Sequence, residues 1–430
     1  MDDNRRTSGC PFRLDPRAAD IHGETARLRA AGAATRVELP GGVQAWSVTD
    51  TGLIKRLLTD PRISKDAHRH WPDYIAERIP AAWPLRPWVD VRNALTAYGD
   101  EHTRLRRLIG SAFTTRRVRA LVPTIESITS GLLDGLEAEP ADAEVDLRAR
   151  FAWVLPLLVV NTLLGVPDET HQDFRHAIGG LFATDLSEEE ATANAVAVYE
   201  LLDGLVAAKR RTPGDDVTSA LIDAHDDETD SRLSHQELLD SLLLLIGAGH
   251  ETTVNLLDHA VVDLLGHPGQ LAAVRSGEVA WSDVVEETLR HQAPIANIIM
   301  RFPVEDVHDA DSGLTFRQGE AIVINYSAVG RDPNLHGESA DRFDSTRATR
   351  REHMAFGHGV HYCLGAELAR LEGRIALSAL FDRFPGLTLA VGAEELRPVA
   401  SFISNGHQVL PVRLRGSGSG SGSGVQGSVT

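Results

Sequence analysis

The chain has 430 residues, of which 42% are hydrophobic and 24% are charged. This ordinary globular composition excludes an intrinsically disordered chain, a collagen-like repeat and a small disulfide-stabilised scaffold. The formal net charge is 43 minus 61, or -18, at pH 7, and so acidic a chain is not expected to bind nucleic acid or an anionic membrane surface.

The cysteines and the two ends of the chain bear on disulfide content, cellular location and the extent of the folded part. Cys10 and Cys363 are too few for a disulfide framework. The first residues, MDDNRR, lack the apolar stretch of a signal peptide or membrane anchor, so we expect a soluble, cytoplasmic protein. Residues 416–424 alternate Gly and Ser, and VQGSVT follows. Residues 416–430 are therefore expected to be a disordered linker with a tag-like tail.

The first hundred residues are predicted to mix strands, helices and loop. Residues 37–39 and 44–48 flank a Pro-Gly-Gly turn, which is a hairpin pattern. Asp50 is a candidate N-cap for a helix that ends near Asp60. Residues 66–98 hold four prolines and three tryptophans, Trp71, Trp83 and Trp88. So long an irregular segment is either a functional loop or an awkward connection that the aromatic rings pack, and both interpretations stay open.

Residues 101–290 are predicted to be mostly helical. The clearest helix begins with a capping box, Ser234 and Glu237, and continues to about residue 265, a length of roughly 45 Å. Charged residues such as Asp240 and Asp258 interrupt it too often for a membrane span, so it is predicted to cross a protein core. Strand patterns return after residue 295, and a last helix is predicted at about residues 364–381. The fold class is therefore mainly α with a minor β region.

The second cysteine stands in the segment FGHGVHYCLG, residues 356–365. Gly357 and Gly359 permit a tight turn, and Cys363 is predicted to start the last helix, where free amides and the helix dipole lower a thiol's pKa. Gly365 leaves space for a large flat group, and a thiolate with an open face suits haem iron. A buried cysteine without a role is one alternative. The other is a zinc site made of His353, His358, His361 and Cys363.

This segment resembles the haem-binding loop of the cytochrome P450 family, in which a Phe-Gly-x-Gly-x-His-x-Cys-x-Gly run carries the axial thiolate. All six fixed positions match: Phe356, Gly357, Gly359, His361, Cys363 and Gly365. The resemblance covers about residues 10–415 and implies a single domain, residues 1–415, with the cytochrome P450 fold, a triangular helical prism around a buried haem b. It also implies that Cys363 ligates the iron.

A second motif, AGHETT, occupies residues 248–253 in the middle of the long helix. An acid beside a hydroxyl residue is costly to bury there without partners or a role, and a threonine can bond back to the carbonyl one turn earlier. The motif resembles the oxygen-binding groove of the family. The resemblance implies that Ala248 and Gly249 face the haem, that Thr252 hydrogen-bonds the bound dioxygen, and that Glu251 passes protons in from solvent.

Further positions extend the resemblance. Glu287 and Arg290 can pair on one helix face and resemble the family's structural Glu-x-x-Arg, while Arg342 matches the downstream arginine that completes this network. Four residues match the positions from which bacterial members bind the two haem propionates: His102, Arg106, Arg301 and His361. Propionates are carboxylates, and when buried they need charged or hydrogen-bonding partners of this kind.

The resemblance implies a monooxygenase that uses O2 to hydroxylate, or oxidatively couple, a largely apolar small molecule. Steroids, macrolides or other polyketides, and aromatic secondary metabolites are the expected classes. By family position, residues 68–98 roof the pocket, and Asn297 is a polar group that could orient the substrate. The remaining walls are Leu244, Ala248, Ile295, Ile298, Phe402 and Ile403. A non-catalytic haem-thiolate binding protein and a zinc-dependent hydrolase are the alternative classes.

The same resemblance implies a monomer whose electrons come from NAD(P)H through a ferredoxin reductase and a ferredoxin. One basic run in this acidic chain is a candidate docking surface: Arg104, Arg107, Arg116, Arg117 and Arg119. A solvated charged face is the alternative interpretation. If the run is the docking surface, reversing the charges of Arg107 and Arg116 slows reduction in a salt-dependent way.

Overall fold

The structure, a computed structural model, describes residues 12–140, 142–182 and 188–415, with the backbone alone at 180–182, 188 and 191. Cys10 and the Gly/Ser tail lie outside these residues. The strands are β1 (Phe12–Arg13), β2 (Ala34–Glu38), β3 (Gln44–Val48), β4 (Ile63–Ser64), β5 (Glu144–Asp146), β6 (Asn297–Pro303), β7 (Val307–Asp309), β8 (Leu314–Phe316), β9 (Ile322–Asn325), β10 (Thr388–Leu389) and β11 (Pro411–Arg413).

Helices make up most of the rest. The first half holds α1 (Ile21–Ala31), α2 (Thr51–Thr59), α3 (Ala67–His70), α4 (Pro72–Ile75), α5 (Pro87–Asp90), α6 (Gly99–Ala112), α7 (Thr115–Ala120), α8 (Val122–Glu137), α9 (Val154–Leu164), α10 (His171–Phe182) and α11 (Glu188–Arg211). The second half holds α12 (Val217–Asp223), α13 (His235–Gly266), α14 (Pro268–Arg275), α15 (Trp281–His291), α16 (Tyr326–Gly330), α17 (Pro333–His336) and α18 (Ala366–Arg383). The predicted class, mainly α with a minor β region, is confirmed.

The largest sheet has the strand order β1-β2-β3-β9-β6-β4. The predicted hairpin is confirmed, since β2 and β3 pair antiparallel with Thr35 opposite Ser47. The helix predicted after it is also confirmed: Asp50 caps α2 by accepting a hydrogen bond from the Leu53 amide at 2.7 Å. The C-terminal half completes this sheet, because β9 lies parallel to β3.

Helix α13 crosses the core as its sequence predicts. The capping box is present, with the Glu237 amide donating to Ser234 Oγ at 3.2 Å and the Ser234 amide donating to Glu237 Oε2 at 2.7 Å. The helix packs against α9, α15 and α18. Among the described residues, no helix is long and apolar enough to cross a membrane.

The proline-rich segment 66–98 contains three short helices, α3, α4 and α5. Trp71 is buried and stacks on Phe302, with 5.3 Å between ring centroids. Trp83 is also buried, contacts the Trp71 ring edge-on at 5.7 Å, and donates its indole N–H to Pro40 O at 2.8 Å. These two rings therefore pack the connection, and Trp88, at 39% exposure, is the accessible tryptophan of the three.

The Glu287 and Arg290 pair is buried and bidentate, with distances of 2.7 and 2.8 Å. The prediction that Arg342 completes the network is wrong. Arg342 is exposed and contributes only its backbone oxygen, whereas Arg347 is buried with its Nε 3.3 Å from Glu287 Oε1. Arg347 lies five residues further along, where the chain turns back towards α15, and no spacing rule in the sequence distinguishes the two arginines.

Candidate active site

The loop before Cys363 is held by glycines in left-handed conformations. Gly357 and Gly359 have φ values of 73° and 72°, which side chains with a Cβ rarely adopt. A Cβ at Gly359 would also lie 2.4 Å from the Leu58 carbonyl oxygen, so this turn packs tightly against the end of α2. The Cys363 amide then closes the loop by donating to Phe356 O at 2.8 Å.

Cys363 is solvent-accessible, although protein surrounds it on most sides. Burial raises the pKa of the Cys363 thiol, while the Gly365 amide and the charges of Arg106 and Arg370 act in the opposite direction. The predicted net lowering of this pKa is therefore wrong, although the Gly365 amide acts in the predicted direction. Helix α18 begins at Ala366, two residues later than predicted. Coordination to a metal is what deprotonates such a thiol.

The zinc alternative is not supported. Within the described part of the chain, no three His, Cys, Asp or Glu side chains are grouped so as to hold a metal ion. His353, one of the proposed ligands, has its Nε2 3.1 Å from Glu286 Oε2, and its Nδ1 accepts from the Ala355 amide at 3.1 Å. Its two ring nitrogens are therefore engaged in holding the loop against α15.

The middle of α13 carries an accessible face. Ala248 is exposed, although most of the helix around it is buried. Thr252 donates its hydroxyl to Ala248 O at 2.7 Å, which is the bond one turn back that the sequence predicts. A Cβ on Gly249 would lie 3.1 Å from a Val160 methyl group, so the glycine permits close packing of α9. The small side chain of Ala248 thus leaves the helix surface open one turn before Thr252, whereas Gly249 lies against α9.

Glu251 has a partner that the sequence did not reveal. Ser404 donates its hydroxyl to Glu251 Oε1 at 2.7 Å. Burial raises the pKa of Glu251, and the Ser404 hydrogen bond and the charge of Arg148 only partly oppose it. The two residues are 153 positions apart, so no local pattern could have paired them.

A buried polar network continues from Glu251 along the same face of α13. Asn255 and Asp258 follow one and two turns later and bind the Arg148 guanidinium at 3.0 and 3.2 Å. Asp258 also accepts from the His407 amide at 2.7 Å. The network fixes residues 401–407 against the helix, and it therefore holds Ser404 beside Glu251.

The four predicted propionate ligands come together. The His102 and His361 rings are in contact, tilted by 50° with 4.1 Å between their centroids, and Arg106 donates to Tyr362 O at 2.5 Å. His102 Nε2 is buried and has no hydrogen-bond partner, and Arg301, at 3% exposure, makes one long bond of 3.4 Å to Met300 O. Among the described residues, no Asp or Glu pairs with any of the four. Such a group suits an anion with several oxygens.

The predicted substrate residues divide into two kinds. Leu244 and Ile298 are half-buried, and Ile295 bridges to Ser404. Phe402 and Ile403 are buried in the core, and Asn297 donates its amide to Phe402 O at 3.0 Å. The amide of Asn297 therefore holds the 402–403 turn with one N–H, which leaves its second N–H and its carbonyl oxygen to meet other groups.

The comparisons agree with this geometry. The family model described as Cytochrome P450 matches residues 281–396. The chain is 44% identical over 407 residues to 2-hydroxy-5-methyl-1-naphthoate 7-hydroxylase of Streptomyces carzinostaticus, with 95% of this chain and 98% of that protein covered. The chain belongs to the cytochrome P450 family. This P450 is also 38% identical over 394 residues to vitamin D(3) 25-hydroxylase of Pseudonocardia autotrophica, with 91% and 93% covered.

The fold was also compared with solved structures. CYP154A1 from Streptomyces coelicolor A3(2) matches this P450 with a TM-score of 0.85 and 52% identity, over 94% of this chain and 100% of that one. The predicted cytochrome P450 fold and the monooxygenase class are thereby confirmed, and the family carries haem with thiolate ligation. The residues present fit that group, because an accessible thiol stands near cationic and imidazole side chains that lack an acidic partner.

The predicted basic docking run is not a free positive surface. Arg104 pairs with Glu237, Arg107 bridges Asp226 at 2.5 Å and Glu228 at 2.8 Å, Arg117 lies 3.0 Å from Asp215, and Arg119 lies 3.7 Å from Glu367. Arg116 is exposed and has no salt bridge to a described residue. Acidic side chains from other parts of the chain thus neutralise most of the run.

Proposed function

We propose that this P450 binds haem b through the thiolate of Cys363 and uses O2 to hydroxylate, or oxidatively couple, a largely apolar small molecule. The observation that carries the proposal is the accessible Cys363 thiol together with four propionate-type ligands that have no acidic partner. When bound, the haem supplies the redox centre that activates O2. Residues 1–415 act as one domain.

The chain's own part begins with holding the cofactor. His102, Arg106, Arg301 and His361 receive the two propionates. Phe356, Gly357 and Gly365 shape the loop that presents Cys363, Ala248 keeps the accessible surface of α13 clear, and Gly249 lets α13 pack closely against α9. The φ of Gly357 and the open space around Gly365, whose Cβ would meet only the Cys363 sulphur at 3.9 Å, support these roles.

Thr252 and Glu251 manage protons. The Thr252 hydroxyl, oriented by Ala248 O, has lone pairs left to accept a hydrogen bond from a water or a reacting oxygen. The raised pKa of Glu251 keeps its carboxyl protonated to a higher pH than an exposed glutamate, so it can hold a proton for transfer. Ser404 occupies Oε1 and leaves Oε2 to exchange that proton.

The substrate proposal depends on the walls of the site and on the relatives. Leu244, Ile295 and Ile298 are partly exposed apolar side chains, and a pocket formed by them and Ala248 suits an apolar molecule. The names of two relatives specify a naphthoate and vitamin D(3), so proteins of similar sequence accept a flat aromatic acid and a larger apolar molecule. Aromatic secondary metabolites, polyketides and steroids are the classes to screen.

We propose that the electrons come from other proteins. We propose NAD(P)H as the source, with a ferredoxin reductase and a ferredoxin as carriers, in the cytoplasm and with the P450 as a monomer. Arg116 is the arginine of the basic run that is exposed and has no salt bridge to a described residue, and it is the candidate contact for an acidic carrier.

The first experiment is a visible spectrum of dithionite-reduced protein under carbon monoxide. The expected result is the strongly red-shifted Soret band of thiolate ligation, and its loss in Cys363→Ser with haem still bound. Reconstituted turnover with naphthoates, steroids and macrolides then tests the enzyme against the alternative of a non-catalytic binding protein. Spin-state shifts without any oxygenated product in the whole panel would favour that alternative, and a protein that takes up no haem would overturn the proposal.

A further inference from the structure

Lys65 lies beside the group of propionate-type ligands, although no motif singled it out. Strand β4 pairs antiparallel with β6, with Ile63 opposite Pro303 and Ser64 opposite Phe302. The next step of that register places Lys65 opposite Arg301. The two residues are 4% and 3% exposed, so two long cationic side chains are buried next to each other.

The burial of Lys65 is unusual within this chain. The other lysines are Lys55, which is exposed, and Lys209, whose ammonium lies 2.7 Å from Asp216 Oδ2. Among the described residues, no salt bridge or side-chain hydrogen bond involves the Lys65 ammonium. An uncompensated ammonium is among the costliest groups to bury, so this position calls for an anion.

The groups around Lys65 are cationic or imidazole. Burial, and after it the charge of Arg301, holds the pKa of Lys65 well below its usual range. The pKa of His102 is lowered to about 4, first by burial and then by the charges of Arg106, Arg301 and Lys65. The cluster therefore repels further positive charge and favours an anion shared among its members.

We propose that Lys65 is an additional haem-propionate ligand, its ammonium pairing with a carboxylate alongside Arg301. The inference rests on the proposed haem binding and extends it to a residue of the N-terminal half, since Lys65 directly follows β4 and Arg301 lies in β6. The pairing retains the haem. It also favours the ferrous state, because a nearby positive charge stabilises the added electron.

The test compares haem retention and reduction potential in Lys65→Met, Lys65→Arg and the control Lys55→Met. Methionine keeps the length of the side chain and removes only the charge. The loss of a charge-assisted hydrogen bond should speed haem transfer to excess apomyoglobin by about tenfold or more. It should also lower the ferrous-to-ferric equilibrium constant by about tenfold, which is 59 mV for one electron. Lys65→Arg and Lys55→Met should stay near the wild type.

Two results would overturn the assignment. Haem transfer and potential in Lys65→Met that equal those of the wild type would mean that Lys65 is a neutral packing residue. The same loss in Lys65→Arg as in Lys65→Met would mean that charge is not what matters. The carbon monoxide spectrum of each variant verifies thiolate ligation. A wild-type protein without that spectrum would refute the proposed function itself, which is a separate failure.

Discussion

Thr252 and Glu251 are neighbours in α13, but their side chains are engaged with different parts of the protein. Thr252 bonds within its own helix to Ala248 O, while Glu251 accepts from Ser404 at the far end of the chain. A hydroxyl held this way is oriented without being consumed, since its oxygen can still accept. At the scale of single residues, the site thus separates an oriented hydroxyl from a partly buried carboxyl whose pKa is raised.

Replacing Thr252 by Ala tests the role of the hydroxyl. Alanine preserves the helix and removes only the hydroxyl. Without that hydroxyl, the product formed per reductant consumed should fall at least about tenfold, while reductant consumption continues and peroxide accumulates. Product, NAD(P)H and peroxide are measured in the same reconstituted reaction. Thr252→Ser is the control, because it retains the hydroxyl and should stay coupled. If Thr252→Ala turns over with wild-type coupling, Thr252 has a structural role only.

At the scale of elements, one buried carboxylate joins three segments. Glu287 in α15 binds Arg290 on its own helix and Arg347 from the loop beyond α17, and its Oε1 also accepts from the Asp344 amide at 2.8 Å. Arg347 also donates hydrogen bonds to the His336 and Ser339 carbonyl oxygens at 2.8 and 2.7 Å. Arg347 therefore ties the loop to α15, on which the Cys loop also rests through His353 and Glu286.

Arg347→Met should cost about 3 kcal/mol of unfolding free energy, because it leaves part of a buried ion network without its partner. Arg342→Met is the matched control, and it should change stability by less than about 0.5 kcal/mol since that side chain is exposed. Urea unfolding followed by circular dichroism, at equal haem loading, measures both. Equal losses in the two variants would show that Arg342 shares the role that the contacts assign to Arg347.

At the scale of the whole molecule, charge is balanced between distant segments. Arg107 on α6 meets Asp226 and Glu228 in the turn after α12, and Arg104 meets Glu237 at the start of α13. The arginines that look like a positive patch in the sequence therefore join helices. Reversal of Arg107 would disrupt this packing, so it is a poor probe of partner binding.

Arg116→Glu is the cleaner probe of the redox partner. Removing an exposed, unpaired positive charge should slow reduction by an acidic ferredoxin several-fold at low salt, and the difference should shrink as ionic strength rises. Stopped-flow reduction under carbon monoxide measures the rate. Arg397→Glu, an equal charge change at another exposed arginine, should have a smaller effect. Identical rates in both variants at every salt concentration would exclude Arg116 from the docking surface.

Much of this P450 is determined by local sequence. The β2–β3 hairpin, the Asp50 cap, the capping box of α13 and the Cys loop all depend on residues within a few positions of each other, so their chemistry can be read directly. The Cys loop was distinctive enough to indicate the family, because its glycines, histidine and cysteine are fixed relative to one another. The loop and the AGHETT motif together located the accessible face of α13.

The tertiary structure decided what depends on residues far apart in the chain. Arg347 rather than Arg342 reaches Glu287, and Ser404 reaches Glu251. The register of β4 with β6 places Lys65 opposite Arg301. Burial, which no local pattern reports, reversed the expected pKa shift of Cys363. The contact partners of a side chain and its exposure to solvent depend on residues that are distant in the chain. Two residues of the same type can therefore look equivalent in the sequence and have different roles in the folded protein.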